Sequence, residues 1–309
     1  MDRFHCNSSE IMNLLVKHNI DGIELLNSLV WDDNIIPSNI VRGVHLKYFP
    51  TWLDFWNNNK NELLRQFGSM EQVNNYYGGT NREILINHYI QEIKQADKIG
   101  AEYVVFHVAH SQVEHAYTYD FTYNDEEIID ATSELLNEVF KGLNTNIKLL
   151  FENLWIPGLT MLNKDMLLRL LEKVQYFNKG FMLDTGHLMN TNFDLTNEKE
   201  GIQYILDTIN NLGELKTFIK GIHLNCSLSG EYVKGQIEAN NKSKLPSSEM
   251  KENVYSHIMK IDMHKPFTDN YTKSLIDFIE PEYVVYEFIT SSLEELGEYI
   301  EIQNKALQI

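Results

Sequence analysis

Six short apolar runs end, or nearly end, in a side chain able to bind a metal: Gly43-Val44-His45, Val104-Val105-Phe106-His107, Leu149-Leu150-Phe151-Glu152, Met182-Leu183-Asp184-Thr185-Gly186-His187, Ile222-His223 and Val284-Val285-Tyr286-Glu287. Asp262-Met263-His264 adds an Asp-x-His between the last two. A lone strand histidine is usually a satisfied core residue, and a lone buried carboxylate is rare. A series at successive strand ends is different, because inward carboxylates repel one another and require protonation unless cations lie among them. Imidazole with carboxylate suits Zn, Mn, Fe or Co, whereas the lack of a Cys pair disfavours a closed structural zinc site. The expected chemistry is that of a divalent-metal centre.

The runs that carry these residues alternate with helical patterns along the chain, which predicts a parallel sheet with helical crossovers. Eight strands are expected: Arg3 to Cys6, Asp21 to Leu26, Val41 to Tyr48, Tyr103 to His107, Ile147 to Glu152, Gly180 to Asp184, Ile219 to His223 and Tyr283 to Phe288. Between them, Ser8-Ser9-Glu10 offers a helix cap, Thr80 or Asn81 another, and a long loop runs through Tyr76-Tyr77-Gly78-Gly79. Helices are expected around Ile84 to Ala96, Glu126 to Leu143, Leu167 to Leu171 and Ile202 to Ile209, and after the cap Ser291-Ser292. The count fits an α/β (β/α)8 TIM barrel, a single domain over 1–309. Leu228 to Tyr255, rich in Lys, Asn, Ser and Glu, reads as a long loop insertion after strand seven and as a candidate lid. Side-chain parity places His107 with Val105 and Tyr103, Glu152 with Leu150, and Glu287 with Val285, so each can point into the barrel mouth; His110 has the other parity.

Composition narrows the partners. The 309 residues carry a formal charge of −18 and only five arginines, Arg3, Arg42, Arg65, Arg82 and Arg169, which argues against a broad nucleic-acid footprint. Clustered carboxylates with bound metals would nevertheless be locally positive. No apolar run approaches a membrane span, and Met1-Asp2-Arg3-Phe4-His5 is not a secretory signal. Two cysteines, Cys6 and Cys226, suggest no disulfide framework; the expected location is cytoplasmic, and either thiol could lie near the site because each follows a histidine closely. Barrel loops could support an oligomer, though no segment marks itself as an interface.

At these residues the chain resembles the xylose-isomerase-like TIM-barrel superfamily, which includes sugar-phosphate isomerases and epimerases and endonuclease IV, the family 2 AP endonuclease. The resemblance runs from Asp21-Gly22-Ile23-Glu24-Leu25 to Tyr286-Glu287-Phe288. It is carried by Leu183-Asp184-Thr185-Gly186-His187, Phe151-Glu152-Asn153-Leu154, Ile222-His223-Leu224-Asn225 and Asp262-Met263-His264. It implies one metal on Glu152, Asp184, His223 and Glu287. The endonuclease pattern would add a second on His45, His107 and a bridging Glu152, and a third on His187, Asp262 and His264. Two departures stand out: His107-Val108-Ala109 replaces the family's usual His-Pro-Gly, and Phe267-Thr268-Asp269-Asn270 replaces a Gly-x-Gly.

Three functions follow as expectations. The first is a metal-dependent isomerase or epimerase of a sugar, sugar phosphate or related polyol, using Zn or Mn. Glu152 and Glu287 would remove and return a proton from opposite sides, and His187 would shuttle one on a substrate oxygen. The second is phosphodiester hydrolysis at abasic DNA by three clustered metals; nucleic acid is a partner only here. The third is a barrel that binds metal and a small ligand without turnover. Candidate substrate contacts are Tyr48, Lys47, Trp155 and Lys265.

Overall fold

The computed structural model describes residues 7–26, 28–242 and 247–309. Seven parallel strands lie in sequence order: β1 (Ile23–Leu26), β2 (Val41–His45), β3 (Tyr103–His107), β4 (Lys148–Glu152), β5 (Lys179–Asp184), β6 (Ile219–Leu224) and β7 (Tyr283–Tyr286). Helices surround them, and the result is a nearly closed TIM barrel. The strand expected over Arg3 to Cys6 lies outside the described residues, as does Cys6. The other expected strands are present within a few residues of their anticipated ends.

Strands β3 to β6 are largely apolar because both of their faces are covered, whereas Leu26 of β1 and Val284 of β7 are exposed. Outward residues such as Val104, Phe106, Leu149, Phe151, Phe181, Leu183 and Ile222 join the large core between sheet and helices. Inward residues form a second core inside the barrel, with Tyr103, Val105, Leu150 and Met182 packed against Tyr283 and Val285. The ring of Tyr103 crosses this space because Gly43 has no side chain; a Cβ there would lie 2.1 Å from the Tyr103 Cζ.

Three expectations about the connections need correction. The stretch before Tyr76-Tyr77-Gly78-Gly79 is not a long loop but three short helices, Trp52–Trp56, Lys60–Phe67 and Met70–Tyr77, held by aromatic packing such as Phe55 on Tyr77 at 3.9 Å between ring centres. Asn7, rather than Ser8 or Ser9, caps the first helix, Ser8–His18, in a reciprocal box with Glu10. The next long helix, Glu83–Ile99, starts after Arg82 without a side-chain cap.

The insertion over Leu228 to Tyr255 is likewise helical, in two pieces, Gly230–Lys242 and Ser247–Ile261. Its polar composition hid a sparse apolar stripe: Met250, Val254 and Ile258, four residues apart, pack on Val113, Ala116 and Tyr117. His257 secures the contact. Its ring stacks on Tyr117 at 4.1 Å, Nε2 donates to the Ala116 carbonyl at 2.8 Å, and Nδ1 accepts from the Tyr232 hydroxyl at 2.7 Å.

Candidate metal centre

The strand ends deliver the residues to one place. His45, His107, Glu152 and Asp184 are the last residues of β2, β3, β4 and β5, His223 is next to last in β6, and Glu287 follows β7 directly. Register sets their relative heights: His107 pairs with Glu152, and Asp184 with His223. Asp184 also caps the short helix Thr185–Met189, its Oδ1 accepting from the His187 N–H at 2.6 Å, and so aims His187 inward.

Asp262 and His264 arrive differently, from the end of the second insertion helix. A two-way backbone bridge between Cys226 and Lys265, at 2.7 and 3.2 Å, clamps this segment to the end of β6, and Ser227 Oγ accepts from the Met263 N–H at 2.9 Å. His264 is held in the left-handed region, φ 46°, a conformation with a cost for a non-glycine residue that such a clamp can sustain. Cys226 itself is buried and its thiol is pushed up by burial, which makes it an inert packing residue rather than a site thiol.

The nine residues form three touching groups, each with potential ligand atoms within 4.8 Å of one another: His45, His107 and Glu152; His187, Asp262 and His264; Glu152, Asp184, His223 and Glu287. Glu152 belongs to two of them and is completely buried. Its Oε2 lies 2.9 Å from His45 Nε2 and 3.1 Å from His107 Nε2, and its Oε1 lies 3.0 Å from His223 Nδ1. A further group, absent from the expected set, joins Glu24 of β1 to His45 and His223.

Three of the histidines have one nitrogen committed. His45 Nδ1 faces the Leu46 carbonyl at 3.0 Å, His187 Nδ1 the Asn153 carbonyl at 2.8 Å, and His264 Nδ1 the Glu287 carbonyl at 2.9 Å. A carbonyl can only accept, so each Nδ1 carries the proton and a neutral ring presents the Nε2 lone pair. Each Nε2 points at a carboxylate oxygen: Glu152 for His45, and Asp262 Oδ2 for both His187 at 3.2 Å and His264 at 2.7 Å. Lone pair against lone pair requires a cation between them, either a proton on the imidazole or a metal ion. Asp262 Oδ1, Glu287 Oε2 and His107 Nδ1 are also buried without a hydrogen-bond partner. The donor set and its tethers fit divalent ions.

Electrostatics in the protein alone follow from the same contacts. Burial would lower His45, but Glu152 and Glu24 outweigh it and raise the ring to about 9. Burial is likewise outweighed at His264, which Asp262 and Glu287 raise to about 10. Burial pushes Asp184 up to about 8, with Glu287 and Glu152 adding to the shift against the pull of His187. Glu152 is held well below the carboxylate range because His107, His223 and His45 outweigh its burial.

The expected substrate contacts divide. The Tyr48 ring packs 4.6 Å from His107 and Trp155 lies 5.2 Å from His187, so both flank the groups. The Lys47 ammonium sits 4.4 Å over the Phe49 ring, and Lys265 bonds the Tyr299 hydroxyl. Lys265 also lines an open cleft of about 650 Å³ beside Asp262, walled by Tyr232, Tyr255 and Met259 of the insertion. His110 is buried elsewhere, against Asp54, as its parity implied.

Residues 62–269 match the family model described as xylose isomerase-like TIM barrel. The chain belongs to that family. Among solved structures it is similar to endonuclease IV from Thermus thermophilus, with 14% identity over 96% of this chain and 93% of that one and a TM-score of 0.54. It is also similar to an L-ribulose 3-epimerase, with 10% identity over 98% and 90% and a TM-score of 0.51. A third is the probable 3-DHS dehydratase AsbF of Bacillus anthracis, with 13% identity over 98% and 94% and a TM-score of 0.50. At such identities the likeness is one of fold. No curated protein sequence matches the chain. Among the described residues, no helix is long and apolar enough to cross a membrane.

Proposed function

We propose that the chain is a metal-dependent hydrolase of a phosphate ester whose centre takes three divalent ions. The ligands would be His45, His107 and Glu152 for one, His187, Asp262 and His264 for another, and Glu152, Asp184, His223 and Glu287 for the third. One observation carries this reading: Glu152 is fully buried, and both its oxygens face imidazole nitrogens at 2.9–3.1 Å. That geometry suits a bridging ligand and leaves no oxygen free to remove a proton from a substrate carbon.

Bound there, the ions, zinc or manganese, would supply Lewis acidity to phosphoryl oxygens and to water. Three of them against the five clustered carboxylates, Glu24 included, would leave one net positive charge, which favours an anionic phosphate even in a chain of charge −18. Glu287, the most accessible of the ligand carboxylates with 29% of its side chain exposed, would accept a proton from incoming water. His187, fixed by Asn153, would hold its ligand nitrogen in place through turnover. Tyr48, beside His107, and Trp155, beside His187, would contact the sugar or base of the substrate.

The sugar isomerase or epimerase reading stands second. It is favoured by the charge of the chain and by the loop Trp31 to Ile40, which carries Asp32 and Asp33 and no basic side chain. The test is a metal-loaded assay on an abasic-site oligonucleotide, a small phosphodiester and phosphomonoesters, with a chelator control. Chelator-sensitive hydrolysis is expected. No hydrolysis, together with solvent-deuterium exchange into a sugar or sugar-phosphate panel, would establish the second reading instead.

A further inference from the structure

We infer that Glu24 is a positioning residue that fixes the tautomer and orientation of His223. The inference rests on the metal-centre reading above. His45, His187 and His264 each tie one ring nitrogen to a backbone carbonyl. His223 has no such carbonyl; its Nε2 lies 3.1 Å from Glu24 Oε2, while Nδ1 faces Glu152 Oε1 at 3.0 Å and Glu287 Oε2 at 3.2 Å. A proton on Nε2, donated to Glu24, leaves the Nδ1 lone pair turned toward Glu152, Asp184 and Glu287.

Glu24 is built into the floor rather than the mouth. It pairs in register with Gly43, two residues below His45, and its side chain is 7% exposed. Tyr103 reaches toward it from β3 over Gly43, and burial together with the nearby Glu24 carboxylate pushes its phenol up. Glu24 thus contacts both Tyr103 and His223, and the Glu24–His223 contact fixes the ring that three strands share. A carboxylate behind a histidine ligand orients the ring and raises its basicity, and loss of such a partner weakens metal binding about 10- to 100-fold.

The test is titration of the chelator-treated protein with Zn(II) and Co(II), reading affinity, stoichiometry and the Co(II) absorption spectrum, for wild type, Glu24→Leu, Glu24→Gln and Tyr103→Phe. Expected is a loss of about 10- to 100-fold in affinity for Glu24→Leu with the number of ions unchanged and the Co(II) spectrum altered. Glu24→Gln, which can still accept a hydrogen bond, should fall between, and Tyr103→Phe should weaken binding by a smaller factor. Unchanged affinity and spectrum in a folded Glu24→Leu protein would overturn the inference. So would loss of one whole ion with the others untouched, which would make Glu24 a ligand. If Glu24→Leu does not fold, the volume-matched Gln and Phe variants decide by the same criteria. A wild type that binds no metal would instead overturn the metal-centre reading itself.

Discussion

Replacing Glu152 by Gln should convert a centre for three ions into a centre for one. The change preserves volume and one oxygen but cannot bridge, and its amide N–H faces nitrogens that carry lone pairs. Two of the three ligand groups contain Glu152; the group His187, Asp262 and His264 does not. Apparent binding energies of about 10–16 kcal/mol for four-ligand zinc sites correspond to about 2.5–4 kcal/mol per ligand. Loss of one ligand therefore weakens each affected site by roughly 10²- to 10³-fold. Elemental analysis after chelation, reloading and gel filtration should find three ions on the wild type and one on Glu152→Gln, with calorimetric titration resolving the surviving tight site. A variant that binds three ions with wild-type affinities would refute both the bridging role and the grouping.

Other consequences follow from single contacts. Asn153→Ala should destabilise the fold by about 1–3 kcal/mol, because the side chain pairs both the buried N–H and the C=O of Asp184 at 2.9 and 3.0 Å; an unchanged urea midpoint would contradict this. Gly43→Ala should cost about 1–3 kcal/mol by overpacking against Tyr103, whose Cζ would lie 2.1 Å from the new Cβ, and thermal melting checks it. His110 is buried with Nδ1 accepting from the Leu53 N–H at 3.2 Å, and burial, partly opposed by Asp54, lowers it to about 4. Its folded value thus lies below the unfolded value of about 6.5. The unfolded chain then binds more protons between those values, so stability falls as pH drops from about 6.5 to about 4, by about 3 kcal/mol. Urea unfolding across that range should show a shallower acid loss in His110→Asn than in wild type, and parallel curves would refute the assignment.

Much of the barrel was legible because its rule is local. A parallel strand covered on both faces must be a continuous apolar run, so β2 to β7 stand out in the sequence. Their terminal His, Asp and Glu residues are visible as polar interruptions. The connections were harder. The stripe Met250, Val254, Ile258 is three residues in a polar field, too sparse to separate a helix from a loop until Tyr117 and His257 provide the surface it packs on. The helices between Trp52 and Tyr77 are too short for periodicity to register.

Glu24 marks the same boundary within the site. Its parity and its motif Asp21-Gly22-Ile23-Glu24 were in plain view, yet nothing along the chain links it to His223, which is 199 residues away. The sequence alone determined which residue types end the strands, and with them the α/β class and a set of side chains of metal-binding type, since both follow from patterning within a few residues. Only the tertiary structure decided how those residues group, that Glu152 sits between two groups with both oxygens engaged, and which histidine nitrogen faces inward. Such choices depend on barrel register and on backbone carbonyls brought near from other strands, distances that no local pattern encodes.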